Sequence, residues 1–196
     1  MHSRLSQKGR EPIILASASE RRRKILENLG IAFEVVVTDV DEVAYASDPR
    51  RTAAENALLK SDWCRMKFPA RTSIAADTVI DFMGRVVGKP ATIKEASEVL
   101  ALFSGKSHTV ITAVAFSVMG SAPELKLVES QVLFKELTGE QIRDYCSRVN
   151  PLDKAGGYDI DQFGALIIES SSGSRTNIMG LPAELVEEWV VRHNYS

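Results

Sequence analysis

Apolar runs separated by polar, helix-patterned stretches divide this chain into alternating strands and helices. An apolar run at Ile13–Ala16 predicts a buried strand, and residues 20–29 predict a helix that ends at Gly30. Residues 32–38 predict a second strand. Residues 52–67 carry Ala, Leu and Trp at helical spacing and predict an amphipathic helix.

The rest of the chain predicts longer strands joined by tight turns. Ser73–Phe82 and Arg85–Val87 predict a β-hairpin, and residues 109–119 and 125–134 predict another. The remaining predicted elements are helices opened by capping-box patterns at Thr92 and Thr138 and running to about Phe103 and Arg148, a strand at residues 165–169, and a closing helix at residues 184–192. Helices mixed with antiparallel hairpins predict an α/β fold with a mixed sheet flanked by helices. We expect one domain over residues 13–192 after a tail at residues 1–12.

Composition narrows the classes of partner. The chain has 196 residues, of which 44% are hydrophobic and 26% charged, with a formal net charge of −2. The balanced charge argues against a stable complex with nucleic acid and favours a small partner. Cys64 and Cys146 lack the paired spacing of zinc sites and predict reduced thiols. A polar first dozen residues, with no apolar run of about 18 residues, predicts a cytoplasmic protein without a membrane segment.

The turn and helix after the first strand form a candidate anion site. Ser17 and Ser19 precede a helix whose first turns hold Arg21, Arg22 and two further cations. Cations at this end oppose the helix macrodipole, at a cost of about 0.3–1 kcal/mol each, so a bound anion would compensate them. Hydroxyl, backbone N–H and guanidinium groups together suit a phosphate. A solvated helix face explains the run equally well, and the run alone leaves both interpretations open.

Asp77 interrupts an otherwise apolar strand. Aspartate is depleted from strands, and a buried carboxylate needs a partner or a metal ion. Asp77 would act as a general base, or as a metal ligand together with Asp41 or Glu42, and carboxylates suit Mg²⁺ or Mn²⁺. The alternative is a structural carboxylate satisfied by backbone N–H groups.

Two further loops carry lysines beside glycines. Lys89 lies in a Gly-Lys-Pro turn after the hairpin of Asp77, although turn lysines are usually solvated. Residues 153–161 combine Lys154 and Tyr158 with two glycines that permit close approach of a ligand, or form an ordinary glycine turn. A phosphate loop is excluded near Ser104 because the pattern requires glycine where Leu100 stands.

Six short motifs follow one another along the chain. They are L-A-S-x-S-x-R-R from Leu15, A-D-T-V from Ala76, G-K-P from Gly88, S-G-x-x-H-x-V-x-T-A-V from Ser104, P-L-D-K-A-G-x-Y from Pro151 and N-x-x-G-L-P from Asn177. Because it carries these six motifs in this order, the chain resembles the Maf, or septum-formation-inhibitor-like, nucleoside triphosphate pyrophosphatases. The resemblance implies a two-lobed mixed α/β fold, like that of the inosine triphosphate pyrophosphatases, with a nucleotide in the cleft.

The resemblance also implies roles for matching residues. Asp77 stands at the position of the catalytic proton acceptor, and Glu42 near an acidic residue on the metal side. The family's polar and basic cleft residues fall at Ser17, Arg21, Arg22, Lys60, Lys89 and Lys154. Arg21 and Thr78 stand at base-selecting positions, and Asp161 stands where the dTTP- and UTP-specific branch has Gln. We expect Asp161, which only accepts hydrogen bonds, to weaken selectivity for UTP and dTTP.

The implied activity is that of a hydrolase. Water attacks the α-phosphorus of a nucleoside triphosphate, releasing a monophosphate and pyrophosphate, with Mg²⁺, Mn²⁺ or Co²⁺ as cofactor. The role would be house-cleaning of dTTP, UTP or modified nucleotides. The alternative is a nucleotide-binding regulator of septum formation that binds without turnover. The sequence is compatible with a homodimer but does not determine the oligomeric state.

Overall fold

A seven-stranded sheet runs through residues 11–195, the part of the chain that the computed structural model describes. The predicted tail at residues 1–12 lies almost wholly outside the described residues. The strands are β1 (Ile13–Ala16), β2 (Phe33–Val35), β3 (Ser73–Phe82), β4 (Arg85–Val87), β5 (Ser107–Ser117), β6 (Glu124–Phe134) and β7 (Ile168–Ser172). The helices are α1 (Glu20–Asn28), α2 (Pro49–Lys67), α3 (Ile93–Phe103), α4 (Gly139–Arg148), α5 (Arg175–Ile178) and α6 (Ala183–Arg192), with 3₁₀ turns at Ala155–Gly157 and Gly164–Leu166.

The order of the strands confirms a mixed sheet. The sheet runs β2-β1-β3-β5-β6-β7, and β4 pairs with β3. β1 is parallel to both β2 and β3, and the other pairs are antiparallel. Parallel neighbours need a long crossover, and α1 and α2 supply it, whereas short turns connect the antiparallel pairs β3–β4 and β5–β6.

Apolar side chains cover both faces of β1. Ile13 and Leu15 pack with α1 and α6, whereas Ile14 and Ala16 pack with α2 on the other face. This alternation follows from the two-residue period of a strand. A further core cluster joins the second half of β3 to α3 and α4 and includes Ile80.

Several predicted bounds are wrong. β2 spans only three residues rather than residues 32–38, because the chain then leaves the sheet edge and Val37 and Thr38 line a cleft. α2 begins at Pro49 rather than Thr52, since the side chain of Asp48 accepts from the backbone N–H of Arg51. β7 begins at Ile168 rather than residue 165, because a 3₁₀ turn occupies Gly164–Leu166.

The two predicted helix caps differ in detail. Thr138 forms the complete capping box with Gln141. Thr92 accepts from the backbone N–H of Glu95, but the carboxylate of Glu95 accepts from the backbone N–H of Ala91 instead of Thr92. In the described part of the chain, no helix has both the length and the apolar character needed to cross a membrane.

Candidate active site

A cleft of about 690 Å³ opens where β1 ends. Its walls come from the start of α1, the loop before α2, one face of α2, the middle of β3 and the turn before α6. The lining includes most of the residues predicted from the sequence: Ser17, Arg21, Arg22, Glu42, Lys60, Asp77, Thr78 and Lys89. The fold therefore collects residues from distant parts of the chain in one place.

Asp77 is a buried carboxylate that α2 holds through side chains. Lys60 Nζ lies 2.8 Å from Asp77 Oδ1, and Asn56 Nδ2 donates to Oδ2 at 3.3 Å. Asn56 and Lys60 are one helical turn apart, so they share the face of α2 that packs on β3. Asn56 is itself held by the backbone N–H and C=O of Val43. Side chains rather than backbone N–H groups therefore provide the partners described for Asp77.

Lys60 also bridges to a second carboxylate. Its Nζ lies 2.7 Å from Glu42 Oε1, and the Glu42 side chain is 54% exposed. Partial burial acts to raise the pKa of Glu42, but the hydrogen bond and charge of Lys60 lower it below the ordinary 4.5. The positive charges of Lys89 and Arg22 lower this pKa further. Cationic side chains thus act on both Glu42 and Asp77, two of the carboxylates that line the cleft.

Neutral acceptors hold the guanidinium of Arg22. Its Nε donates to the carbonyl oxygen of Gly180 at 2.8 Å, Nη1 to Ser17 Oγ at 3.1 Å and Nη2 to Thr78 Oγ1 at 3.0 Å. Burial lowers the pKa of Arg22, and the charge of Asp77 partly opposes this shift. Among the described residues no carboxylate lies within ion-pair distance of Arg22, so its charge is available to an anion in the cleft.

The cationic start of α1 divides between cleft and surface. Arg21 and Arg22 line the cleft, and the Ser19 side chain caps the helix by accepting from the backbone N–H of Arg22. Arg23 instead forms exposed ion pairs with Glu20 and Glu27. Arg23 therefore fits the interpretation as a solvated helix face, whereas an anion site at Arg21 and Arg22 stays a prediction.

Comparison with known proteins gives the family. A family model described as "Maf-like protein" matches residues 12–193. The chain belongs to the Maf-like protein family.

Relatives of this Maf-like chain match nearly its whole length. It is 40% identical over 172 residues to a protein of Akkermansia muciniphila named dTTP/UTP pyrophosphatase, covering 87% of this chain and 90% of the relative. It is 38% identical over 180 residues to a protein of the same name from Thermotoga maritima, covering 91% and 87%. Its fold is similar to that of a HAM1 protein from Coxiella burnetii, with a TM-score of 0.52, 16% identity and coverage of 90% and 98%. The predicted family and fold class are confirmed.

The carboxylates of this Maf-like cleft fit a divalent cation in part. Asp77 and Glu42 each place an oxygen within 2.8 Å of Lys60 Nζ, so the two oxygens are close together. Among the described residues, no group of three or more His, Cys, Asp or Glu side chains could hold a metal ion. Two carboxylates are sufficient for Mg²⁺ when substrate phosphates and water complete the coordination.

Two predicted residues are not themselves part of the cleft lining, although Asp153 and Ala155 on either side of Lys154 are. Lys154 is buried, and its Nζ donates to the carbonyl oxygen of Asn150 at 3.0 Å and to Asp153 Oδ1 at 2.6 Å. Asp161 Oδ1 accepts from Arg175 at 2.6 and 3.0 Å. Neither residue is among those described as lining the cleft.

Sequence reasoning missed Asn56 and Gly180. Asn56 is 3% exposed on the apolar face of α2, and a polar residue on such a face is a usable signal. Gly180 belongs to the N-x-x-G-L-P motif, but only the folded chain shows that its carbonyl oxygen binds Arg22.

Proposed function

We propose that this protein is a hydrolase that cleaves nucleoside triphosphates between the α- and β-phosphorus, releasing a monophosphate and pyrophosphate. One observation carries the proposal: the carboxylate of Asp77 lies in the same cleft as Arg21, Arg22 and Lys89. Attack by water needs a base near the α-phosphorus, and cations must offset the charge that spreads over the phosphate oxygens. The cleft offers both.

The contacts of Asp77 support its role as the proton acceptor. Lys60 neutralises and orients one oxygen, Oδ1, while the other, Oδ2, receives only the weaker bond from the amide of Asn56. The carboxylate is thus rigidly held and retains a basic oxygen for water. Ser17, Arg21, Arg22, Lys89 and Lys154 are proposed to bind the triphosphate.

We also propose a divalent cation, Mg²⁺, Mn²⁺ or Co²⁺, on Asp77 and Glu42. When bound, such an ion would lower the pKa of a coordinated water and offset phosphate charge. The exposed side chain of Glu42 and the position of Asp77 in the cleft support this assignment.

The proposed substrates are dTTP and UTP, as the names of the relatives indicate. Thr78 and Arg21 would contact the base, and Asp161 would tune its selection. The regulator without turnover is not favoured, because these relatives are named as pyrophosphatases. A cytoplasmic location and a homodimer stay predictions.

The test compares Asp77→Asn with Asp81→Asn, the same substitution four residues along β3. Asp81 Oδ1 accepts from the backbone N–H of Gly84, and Asp81 is not among the cleft lining. We expect Asp77→Asn to lower kcat for pyrophosphate release by about 10²–10⁴-fold while the protein stays folded. Asp81→Asn should keep its activity. A folded Asp77→Asn variant with nearly full turnover would show that another group is the base.

A further inference from the structure

Thr112 lies behind the cleft, and neither the proposed chemistry nor the cleft lining includes it. It is fully buried in β5, directly opposite Thr78 of β3 in the antiparallel register. The two hydroxyl oxygens are 3.0 Å apart. Thr112 Oγ1 also donates to the carbonyl oxygen of Asn177 at 3.1 Å.

The direction of these hydrogen bonds follows from the atoms involved. A carbonyl oxygen only accepts, so Thr112 uses its single hydroxyl hydrogen on Asn177. The bond between the two threonines must then be donated by Thr78. Its oxygen is left to accept from Arg22 Nη2, which can only donate. The bonds therefore run in one direction, from Arg22 through Thr78 and Thr112 to Asn177.

The far end of this chain of bonds is anchored in the sheet. Asn177 is fully buried, and its Nδ2 donates to the carbonyl oxygen of Val110 at 3.1 Å and to Ser130 Oγ at 2.9 Å. Those two partners belong to β5 and β6. The carbonyl group that receives the Thr112 hydrogen is thus held by rigid elements.

We propose that Thr112 is a positioning residue: it keeps the Thr78 oxygen as an acceptor for Arg22 and so aims the Arg22 guanidinium at the triphosphate. This inference rests on the proposed function of the cleft. Without Thr112, the nearest described acceptor for the Thr78 hydrogen is the Gly180 carbonyl oxygen at 3.5 Å, which Arg22 Nε already uses. Losing the Thr112 hydroxyl would therefore disturb two of the three bonds that hold Arg22.

The test uses three variants of β5. Thr112→Val keeps the shape and removes the hydroxyl, whereas Thr112→Ser keeps the hydroxyl. Thr109→Val is the matched control, because its hydroxyl accepts from Gln131 on the exposed part of the sheet. The measurements are kcat and KM for UTP, and equilibrium binding of inorganic tripolyphosphate, which needs no turnover.

We expect Thr112→Val to raise KM and weaken tripolyphosphate binding by about tenfold, with a smaller change in kcat, because it disturbs the hydrogen bond between Thr78 and the charged Arg22, and losing such a bond has about this effect. Thr112→Ser keeps the hydroxyl, so its KM and its tripolyphosphate affinity should lie within about twofold of the wild-type values. In a Thr78→Val background, Thr112→Val should add nothing, since it acts through Thr78.

Each other outcome has a definite meaning. Equal tripolyphosphate affinity in folded wild type and Thr112→Val, no measurable affinity in either, or additive losses in the double variant would each overturn the role of Thr112. Absence of pyrophosphate release by wild type, with tripolyphosphate binding still weakened by Thr112→Val, would overturn the proposed function alone. If Thr112→Val fails to fold, Thr112→Ala takes its place in the same comparisons.

Discussion

Asp77, Lys60 and Glu42 form a carboxylate–ammonium–carboxylate group at the centre of the cleft. Asp77 and Lys60 are each 8% exposed, and buried charges of this kind persist only when they are paired and hydrogen-bonded. The pairing explains how an aspartate is tolerated in the middle of β3. In this group the opposite charges neutralise each other. Arg22 differs, because its hydrogen-bond acceptors are all neutral.

The role of Asp161 in base selection is a prediction at a single side chain. An amide both donates and accepts, so it can pair with the imide edge of uracil or thymine, whereas a carboxylate only accepts. We expect Asp161→Gln to raise kcat/KM for UTP and dTTP relative to CTP and GTP. The four values measured on both proteins provide the test.

The control for this prediction is Arg175→Ala, which breaks the ion pair of Asp161 but leaves the carboxylate. It should not raise the preference for UTP and dTTP. If all ratios are the same in wild type and Asp161→Gln, the residue does not select the base.

Helix and strand ends bring the cleft residues together. α1 begins where β1 ends, so its capped first turn presents Arg21 and Arg22 to the cleft. α2 lies across β3 and places Asn56 and Lys60 over Asp77. The short turn between α5 and α6 contributes the carbonyl oxygen of Gly180. Each element supplies one side of the site.

The turn at Gly180 gives a prediction about this arrangement. Gly180 has a φ of +105°, and an added Cβ would lie 3.1 Å from Thr78 Oγ1 and 3.4 Å from Arg22 Nε. Gly180→Ala should therefore lower kcat/KM for pyrophosphate release by about tenfold, through displacement of Arg22. It should also cost about 1–2 kcal/mol of stability from backbone strain.

Gly84→Ala is the matched control. Gly84 also has a positive φ, +78°, but an added Cβ would meet nothing within 4 Å. The control should therefore lose stability without losing activity. Equal kcat/KM losses in both variants, measured beside their thermal unfolding, would mean that strain rather than contact with Arg22 is responsible.

The apolar clusters of the protein surround a sheet that carries almost no charge in its interior. His108 belongs to this interior: it is 2% exposed, stacks on Phe103 with ring centroids 4.3 Å apart, and bonds to the hydroxyl of Tyr158 at 2.8 Å. Burial lowers the pKa of His108 to about 4. The histidine therefore serves the packing of the fold.

This buried histidine predicts how global stability depends on pH. In the unfolded chain His108 titrates near 6.5, so between pH 6.5 and 4 the unfolded state binds the additional proton. The contribution of neutral His108 to the free energy of unfolding is therefore complete above pH 6.5, and it is lost as the pH falls from 6.5 to 4. We expect His108 to account for a loss of about 2 kcal/mol in the free energy of unfolding between pH 7 and 5.

Urea unfolding of wild type and His108→Gln at both pH values measures this difference. The variant will be less stable at pH 7, but its stability should fall less on acidification. Equal losses in the two proteins would show that His108 is not held neutral by the fold.

The local sequence pattern predicts most helices and strands, and it identifies Asp77, Arg22 and Lys89 as candidate site residues. Periodicity, caps and turn residues act within a few positions, so they can be read along the chain. The error at β2 falls where tertiary contacts decide the end of the element, whereas the errors at α2 and β7 come from a local cap and a local 3₁₀ turn. The motifs led to the family in the same way, because each is a short run of residues.

The partners within the site depended on the folded chain. Arg22 and Gly180 are 158 positions apart in sequence, and Asp77 lies 17 positions from Lys60. No local pattern records which side chains packing will bring together, or that Arg175 will bind Asp161. The sequence therefore determined which chemical groups are present and on which elements they lie. Packing of those elements decided which groups meet, because a buried polar atom is stabilised by a hydrogen bond to whichever neighbour the fold supplies.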